Sequence, residues 1–298
     1  MRKYLLFLFL FSGCTHATMT TVAYQVGEQT IIAPAVRYEY GYAYNIEAKK
    51  RLKLVTLNWP PYIDESLCNN GWLFQLTVKL LLQKGYGVHI EFFPWARALR
   101  AAELGNADIL FPEYFIDAEV MSENRQGKTR NDLMALSTAI PGGNLSLIGL
   151  SGRKSNYDGS LESIKDQTIG VVRSYKNTPE LDKLINSKQI STIVANNEFQ
   201  QIHLLMNLRV DLIVADFDVL IASIEKSQLF ETEKQQMKNA LVALSPALAY
   251  KPLYYSVSKA NPQWQEILAD LNNEINKMKE QDELLSYIEE KKHQCSRK

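Results

Sequence analysis

The sequence predicts an α/β protein of two lobes built alike, each a mixed, mainly parallel sheet flanked by helices, and three observations predict it. From Leu52 onward, short apolar runs alternate with amphipathic ones across brief joints, the pattern of parallel strands linked by crossover helices. The series starts again near residue 163. One unit stands in both copies: "FPWARALRAAELGNADILFPEYFID" at 93–117 and "EFQQIHLLMNLRVDLIVADFD" at 198–218 each read as helix, turn, aspartate, apolar strand and closing acid, with Asp108 and Asp211 in matching places. A chain of 298 residues, 46% of them hydrophobic, is long enough to fill two cores. The arrangement demands a gap between the facing edges of the halves, and one continuous sheet would contradict it.

The N-terminal "MRKYLLFLFLFSGC" sets Arg2 and Lys3 before an apolar run from Tyr4 to Phe11 that is too short to span a bilayer. This is the layout of an export signal, assigned to 1–17. Two processing routes fit it. Ser12-Gly13-Cys14 resembles a bacterial lipobox, which makes Cys14 the lipidated first residue of a membrane-anchored periplasmic protein; cleavage after Thr15-His16-Ala17 would instead discard that cysteine. Residues 18–50 form an N-terminal extension with candidate strands ("TTVAYQV", "TIIAPAV") and the tyrosine-rich "RYEYGYAY", to which no chemistry is assigned.

In the first lobe "LKLVTL" reads as a buried strand, stopped by Pro60 and Pro61, which cannot supply ladder donors. "GWLFQLTVKLLLQKG" has helical apolar spacing and ends at Gly85, a suitable C-cap. "VHIEFF", "WARALRAAELG" and "ADILF" complete the lobe as strand, helix and strand. The second lobe repeats the plan with "SIKDQTIGVVRS", "TPELDKLIN", "STIVA", "EFQQIHLLMNL" and "VDLIVAD". "STAIPGGNLSLIGLSGRK" at 137–154 reads as an extended crossing, "ALSPALAYKPLYYSVSK" at 243–259 as an extended return, and two amphipathic helices close the chain. Lobe 1 is therefore expected at 51–146 and 247–298, and lobe 2 at 147–246.

Lys+Arg and Asp+Glu both number 33, so no net field points to nucleic acid as a partner. Export implies an oxidising compartment, where Cys68 and Cys295 form a candidate disulfide. Four scattered histidines and no Cys/His cluster imply neither metal nor cofactor. "SENRQGKT" imitates a phosphate loop, but Ser122 replaces its first glycine and no strand leads into it.

Five segments in order carry a resemblance: "LNWPPYID", "FPWARALRAAELGNADILFP", "DQTIGVVRSYKNTPEL", "RVDLIVAD" and "YYSVSKANPQWQEILADLNNEINKMK". Over Leu52 to about Glu290 the chain resembles the bacterial extracellular solute-binding proteins of family 3, the polar amino-acid-binding type. The resemblance implies a type II periplasmic-binding-protein-like fold joined by two hinge crossings. It also implies a monomeric protein that is not an enzyme, closes on a small polar ligand (an amino acid or related amine) and delivers it to the permease of an ABC importer. The alternatives are a sensor acting in trans on a membrane receptor and a cyclohexadienyl-dehydratase-like enzyme on the same fold.

In open α/β sheets the ligand lies beyond the carboxyl ends of the strands, here Trp59 to Asp64, Pro112 to Asp117, Arg173 to Lys176 and Asp216 to Asp218. Asp216 resembles the family's carboxylate for the ligand's amino group; its ordinary duty would be a helix N-cap. Tyr62 matches the family's first-loop aromatic, with Trp59 beside it. Tyr175 lies in "RSYKNTPE", where a helix N-terminus with Pro179 offers backbone donors and Thr178 a cap. Val120 stands where the family has its carboxylate-gripping arginine, leaving Arg97 or Arg173 to supply a cation, or Glu113 and Tyr114 to suit an amine.

Overall fold

The computed structural model describes residues 20–296, so the export signal and the expected lipidation of Cys14 lie outside the described residues. In chain order the elements are β1 (Thr21–Val26), β2 (Gln29–Pro34), β3 (Val36–Tyr38), β4 (Gly41–Tyr44), β5 (Arg51–Thr56), α1 (Trp72–Gln83), β6 (Gly87–Phe92), α2 (Trp95–Glu103) and β7 (Ile109–Glu113). There follow α3 (Arg130–Leu133), β8 (Met134–Leu136), β9 (Ile140–Leu150), β10 (Thr168–Val172), α4 (Pro179–Asn186), β11 (Ser191–Ala195), α5 (Glu198–Met206) and β12 (Leu212–Asp216). The chain ends with α6 (Phe217–Lys226), α7 (Glu231–Ala240), β13 (Leu241–Ala243), β14 (Ala249–Ser258), α8 (Trp264–Glu280) and α9 (Glu283–Ser296).

Each lobe has the same strand plan. In the first, β6 and β7 flank β5 in parallel and β14 adds on antiparallel; in the second, β11 and β12 flank β10 in parallel and β9 adds on antiparallel. The matching aspartates explain why the unit repeats. Asp108 Oδ2 accepts from Lys53 N at 2.7 Å and Asp211 Oδ2 from Thr168 N at 2.9 Å. Each therefore ties the start of its lobe's third strand to the central strand, where an amide at the sheet's end has no ladder partner.

The extension joins the first lobe. Strand β4 pairs antiparallel with β6, and Tyr42 and Tyr44 pack on Phe74 with ring centroids 5.7 and 6.0 Å apart. The β1–β2 hairpin rests on α1, which α8 and α9 cover elsewhere. Ten of the twelve α1 residues are buried as a result, which accounts for a helix apolar almost all round.

The strand pairing differs from the expected gap in one respect. The two crossings are themselves paired strands, β9 on β14 from Leu145↔Ala249 to Ile140↔Leu253, so hydrogen bonding runs unbroken from β11 to β3. At eleven and ten residues, about 35 Å when extended, these strands are long enough to serve both sheets. What divides the molecule is its cores. One cluster gathers β5–β7, α1, α2, α8 and α9, with Val219 of α6 reaching into it, while two others lie on opposite faces of the second sheet, under α5–α7 and under α4.

Cys68 is disulfide-bonded, in a short turn against which α9 packs. The side chain of Cys295, on α9, lies outside the described residues.

Candidate functional site

The carboxyl ends of the parallel strands of both lobes face one another. After β5 the turn Trp59–Ile63 closes with Trp59 N donating to Ile63 O at 2.6 Å and Tyr62 N to Trp59 O at 3.1 Å. This stacks the Trp59 and Tyr62 rings at 4.6 Å and 17°. Tyr114, after β7, meets Trp59 edge-on at 5.9 Å, and Trp95, opening α2, meets Tyr175 of the second lobe edge-on at 5.9 Å. Opposite them stand Tyr175–Asn177 after β10, Glu198 and Gln201 at the start of α5, and Asp216 at the end of β12.

Polar bonds cross the cleft between these rings. Tyr62 donates its hydroxyl to Asp216 Oδ2 at 2.8 Å, and Trp59 donates Nε1–H to Glu198 Oε1 at 2.7 Å. Tyr175 donates to the same Glu198 oxygen at 2.7 Å. Farther out, Trp95 Nε1 donates to Ser174 O at 3.2 Å, Ser174 Oγ to Glu123 at 2.8 Å, and Lys226 pairs with Asp64. Asp216 Oδ1 caps α6 by accepting from Asp218 N at 2.9 Å, the ordinary duty expected of it, while Oδ2 faces the cleft. Gly143 on β9 makes room for this, since a Cβ there would lie 1.9 Å from Asp216 Oδ2 and 2.5 Å from the Tyr62 hydroxyl.

Burial sets the electrostatics. Desolvation raises the Asp216 and Glu198 carboxyls above the usual carboxylate range, against the hydrogen bonds that lower them, and Asp216 adds like-charge repulsion to Glu198. Burial also pushes up the hydroxyls of Tyr62, Tyr114 and Tyr175, so all three remain donors at neutral pH. Lys251 of β14 is lowered by desolvation; it donates to Asn177 O at 2.6 Å and sits 4.8 Å from the Tyr114 ring centre. The spaces between the rims are small, about 20 Å³ beside Trp95 and Tyr114 and about 10 Å³ beside Glu198 and Asp216, enough for single waters. A solute of several atoms would need the lobes to part to sit between these side chains.

Of the residues proposed from sequence, Trp59, Tyr62, Glu113, Tyr114, Tyr175 and Asp216 all line this junction. Arg97 and Arg173 do not: both are exposed, and Arg97 lies over the Phe93 ring at 4.0 Å. Glu113 lines the cleft, but its carboxylate is paired with buried Arg130, whose Nε also lies 3.2 Å from Glu103. Residues 121–129 loop out, bridged at Met121 and Thr129, and return so that Arg130 N donates to Val120 O at 2.7 Å. Arg130 therefore lies beside Val120 in space, with two carboxylates against its charge and Nη1 buried without a partner.

Sequence reasoning missed Trp95, Glu198 and Gln201. The signal was present, because the joints after β6 and β11 are also carboxyl ends of parallel strands, whereas the rims expected from sequence follow only the first and third strands of each lobe. Among the described residues no group of three acidic, histidine or cysteine side chains is placed to hold a metal.

No family model matches the chain, and no curated protein matches it. Solved structures do. A histidine kinase sensor domain with similarity to periplasmic binding proteins matches at 14% identity and a TM-score of 0.62, covering 82% of this chain and 96% of that one. The chain has the two-lobed periplasmic-binding-protein fold. An ancestral arginine-binding protein bound to arginine shares this fold at 19% identity and a TM-score of 0.60, over 82% of this chain and 99% of its own. So does an arginine transport-system periplasmic binding protein from Legionella pneumophila, at 14% and 0.59, over 82% and 100%.

Proposed function

We propose that the protein is an extracytoplasmic solute-binding protein that captures a small polar solute carrying an amino group between its lobes and passes it to an ABC-type importer. The observation that carries this reading is the pair of cross-cleft bonds, Tyr62 to Asp216 and Trp59 to Glu198, whose partners come from different lobes. Groups that meet only on closure give a bound solute its grip on the closed form, and binding shifts the population by that difference in affinity. An ammonium group can replace the Tyr62 hydroxyl at Asp216 with a charge-assisted bond, and the rings of Trp59, Tyr62 and Tyr114 cover the solute's apolar part. Solved structures of the same fold named for arginine and amino-acid transport support the ligand class and the importer. The N-terminal pattern supports the periplasmic location, with Cys14 as the lipid anchor.

Thermal unfolding against a panel of amino acids, amines and organic acids tests the reading, since a ligand of the native state alone raises the melting temperature. An amine-bearing solute should raise it, and Asp216→Ala should remove the rise. A panel without effect, or an effect unchanged in Asp216→Ala, contradicts the reading.

A further inference from the structure

The pocket behind Tyr114 and Tyr175 holds an acceptor that the fold leaves unused. Gln201 is fully buried, and its Nε2 donates to Gly170 O at 2.7 Å and Val214 O at 3.0 Å. Two carbonyls on neighbouring strands thereby fix the amide's orientation, because only the nitrogen can donate to them. Gln201 Oε1 is left in the pocket wall, buried and without a hydrogen-bond partner, a costly arrangement unless something donates to it. One helical turn earlier on α5, Glu198 lines the same pocket; Trp59 and Tyr175 both donate to its Oε1, and its own backbone N–H also bonds to the carboxyl. No side chain among the described residues donates to Oε2. Asp216 completes the acidic wall, and the two carboxylates outweigh the single ammonium of Lys176 in that lining.

Resting on the reading of the cleft as a solute site, we propose that Glu198 Oε2 and Gln201 Oε1 form a second subsite, which receives a second N–H-bearing cationic group of the ligand. Asp216 takes the first such group. The ligand class is then a basic solute with two nitrogen cations, such as a diamine, a guanidino-amine or a basic amino acid. A quaternary ammonium does not fit, since it has no proton to offer the Gln201 oxygen. A neutral polar tail does not fit either, since it leaves the Glu198 charge buried without a counter-ion.

Matched probes test this by calorimetry on the full protein: cadaverine against pentylamine, lysine against norleucine, and arginine against citrulline. Within each pair size is retained and one cation is removed. The dicationic member of at least one pair should bind at least about tenfold more tightly than its partner, the worth of a charge-assisted bond. In Glu198→Gln, which keeps an acceptor for Trp59 and Tyr175, that ratio should fall below about threefold. Should this variant fail to fold, the wild-type pairs decide alone, since the proposal requires the dicationic member to bind more tightly in at least one of them. Equal affinity within the pairs, or a preference that survives Glu198→Gln, overturns the proposal. If a solute outside the pairs binds and none of these six does, the subsite is refuted while the cleft reading stands. If no solute of any class binds, the cleft reading itself fails.

Discussion

At the scale of single residues, the site keeps two carboxylates where burial disfavours their charge. Asp216 and Glu198 are each 5% exposed, and both titrate above the ordinary range because of desolvation. An acid whose folded value is raised above its unfolded one costs stability once the unfolded chain ionises, above about pH 4, and the full cost is present above the folded value. Asp216→Asn and Glu198→Gln should therefore melt higher than wild type at pH 7, with the difference closing towards pH 4. Melting curves at several pH values check this, and a wild-type advantage that grows with pH would contradict it. The same linkage predicts that affinity for a cationic solute falls as pH drops through the raised values, because the protonated acids lose their charge. Gly143 offers a separate check. An added methyl overlaps Asp216 Oδ2, so Gly143→Ala should break the Tyr62–Asp216 pair and weaken solute binding by at least about tenfold.

At the scale of elements, the repeat is a mechanical device. Asp108 and Asp211 each hold a strand start in its own lobe by accepting from a central-strand amide near the surface. Asp108→Ala and Asp211→Ala should each cost about 0.5–1.5 kcal/mol in denaturant unfolding, the net worth of such a hydrogen bond. Thr178, which caps α4 by accepting from Leu181 N at 3.2 Å, should cost about 1 kcal/mol as alanine. Much at this scale was legible in the sequence, because parallel strands buried on both faces read as continuous apolar runs and their helices as periodic ones. Helix α7 was not legible: "ETEKQQMKNA" buries only Met237, so it shows no apolar face. The burial of Arg130 was not legible either, since it depends on how the chain loops through 121–129 and returns to Val120. Glu198 was hidden differently. An acid at a helix start reads as a favourable dipole contact, and only the packing of Trp59 and Tyr175 around it turns it into a cleft residue.

At the scale of the molecule, one hydrogen-bonded path spans both lobes, yet three separate cores hold them. Only β9 and β14 carry the chain across, pairing between Ile140–Leu145 and Ala249–Leu253, so a motion of one lobe against the other would have to pass through that short stretch. The lobes are otherwise joined by polar contacts such as Lys226–Asp64 and Trp95–Ser174 and by the edge-on contact of Trp95 with Tyr175. A solute that bridges the rims should slow opening on both sides together. Hydrogen exchange with and without a saturating solute found by thermal unfolding measures this directly. The account predicts added protection at both 59–64 and 112–114 in one lobe and at 173–177, 198–201 and 216–218 in the other. Protection confined to a single lobe, or appearing instead on the hinge's far face around 139–141 and 282–286, would contradict it.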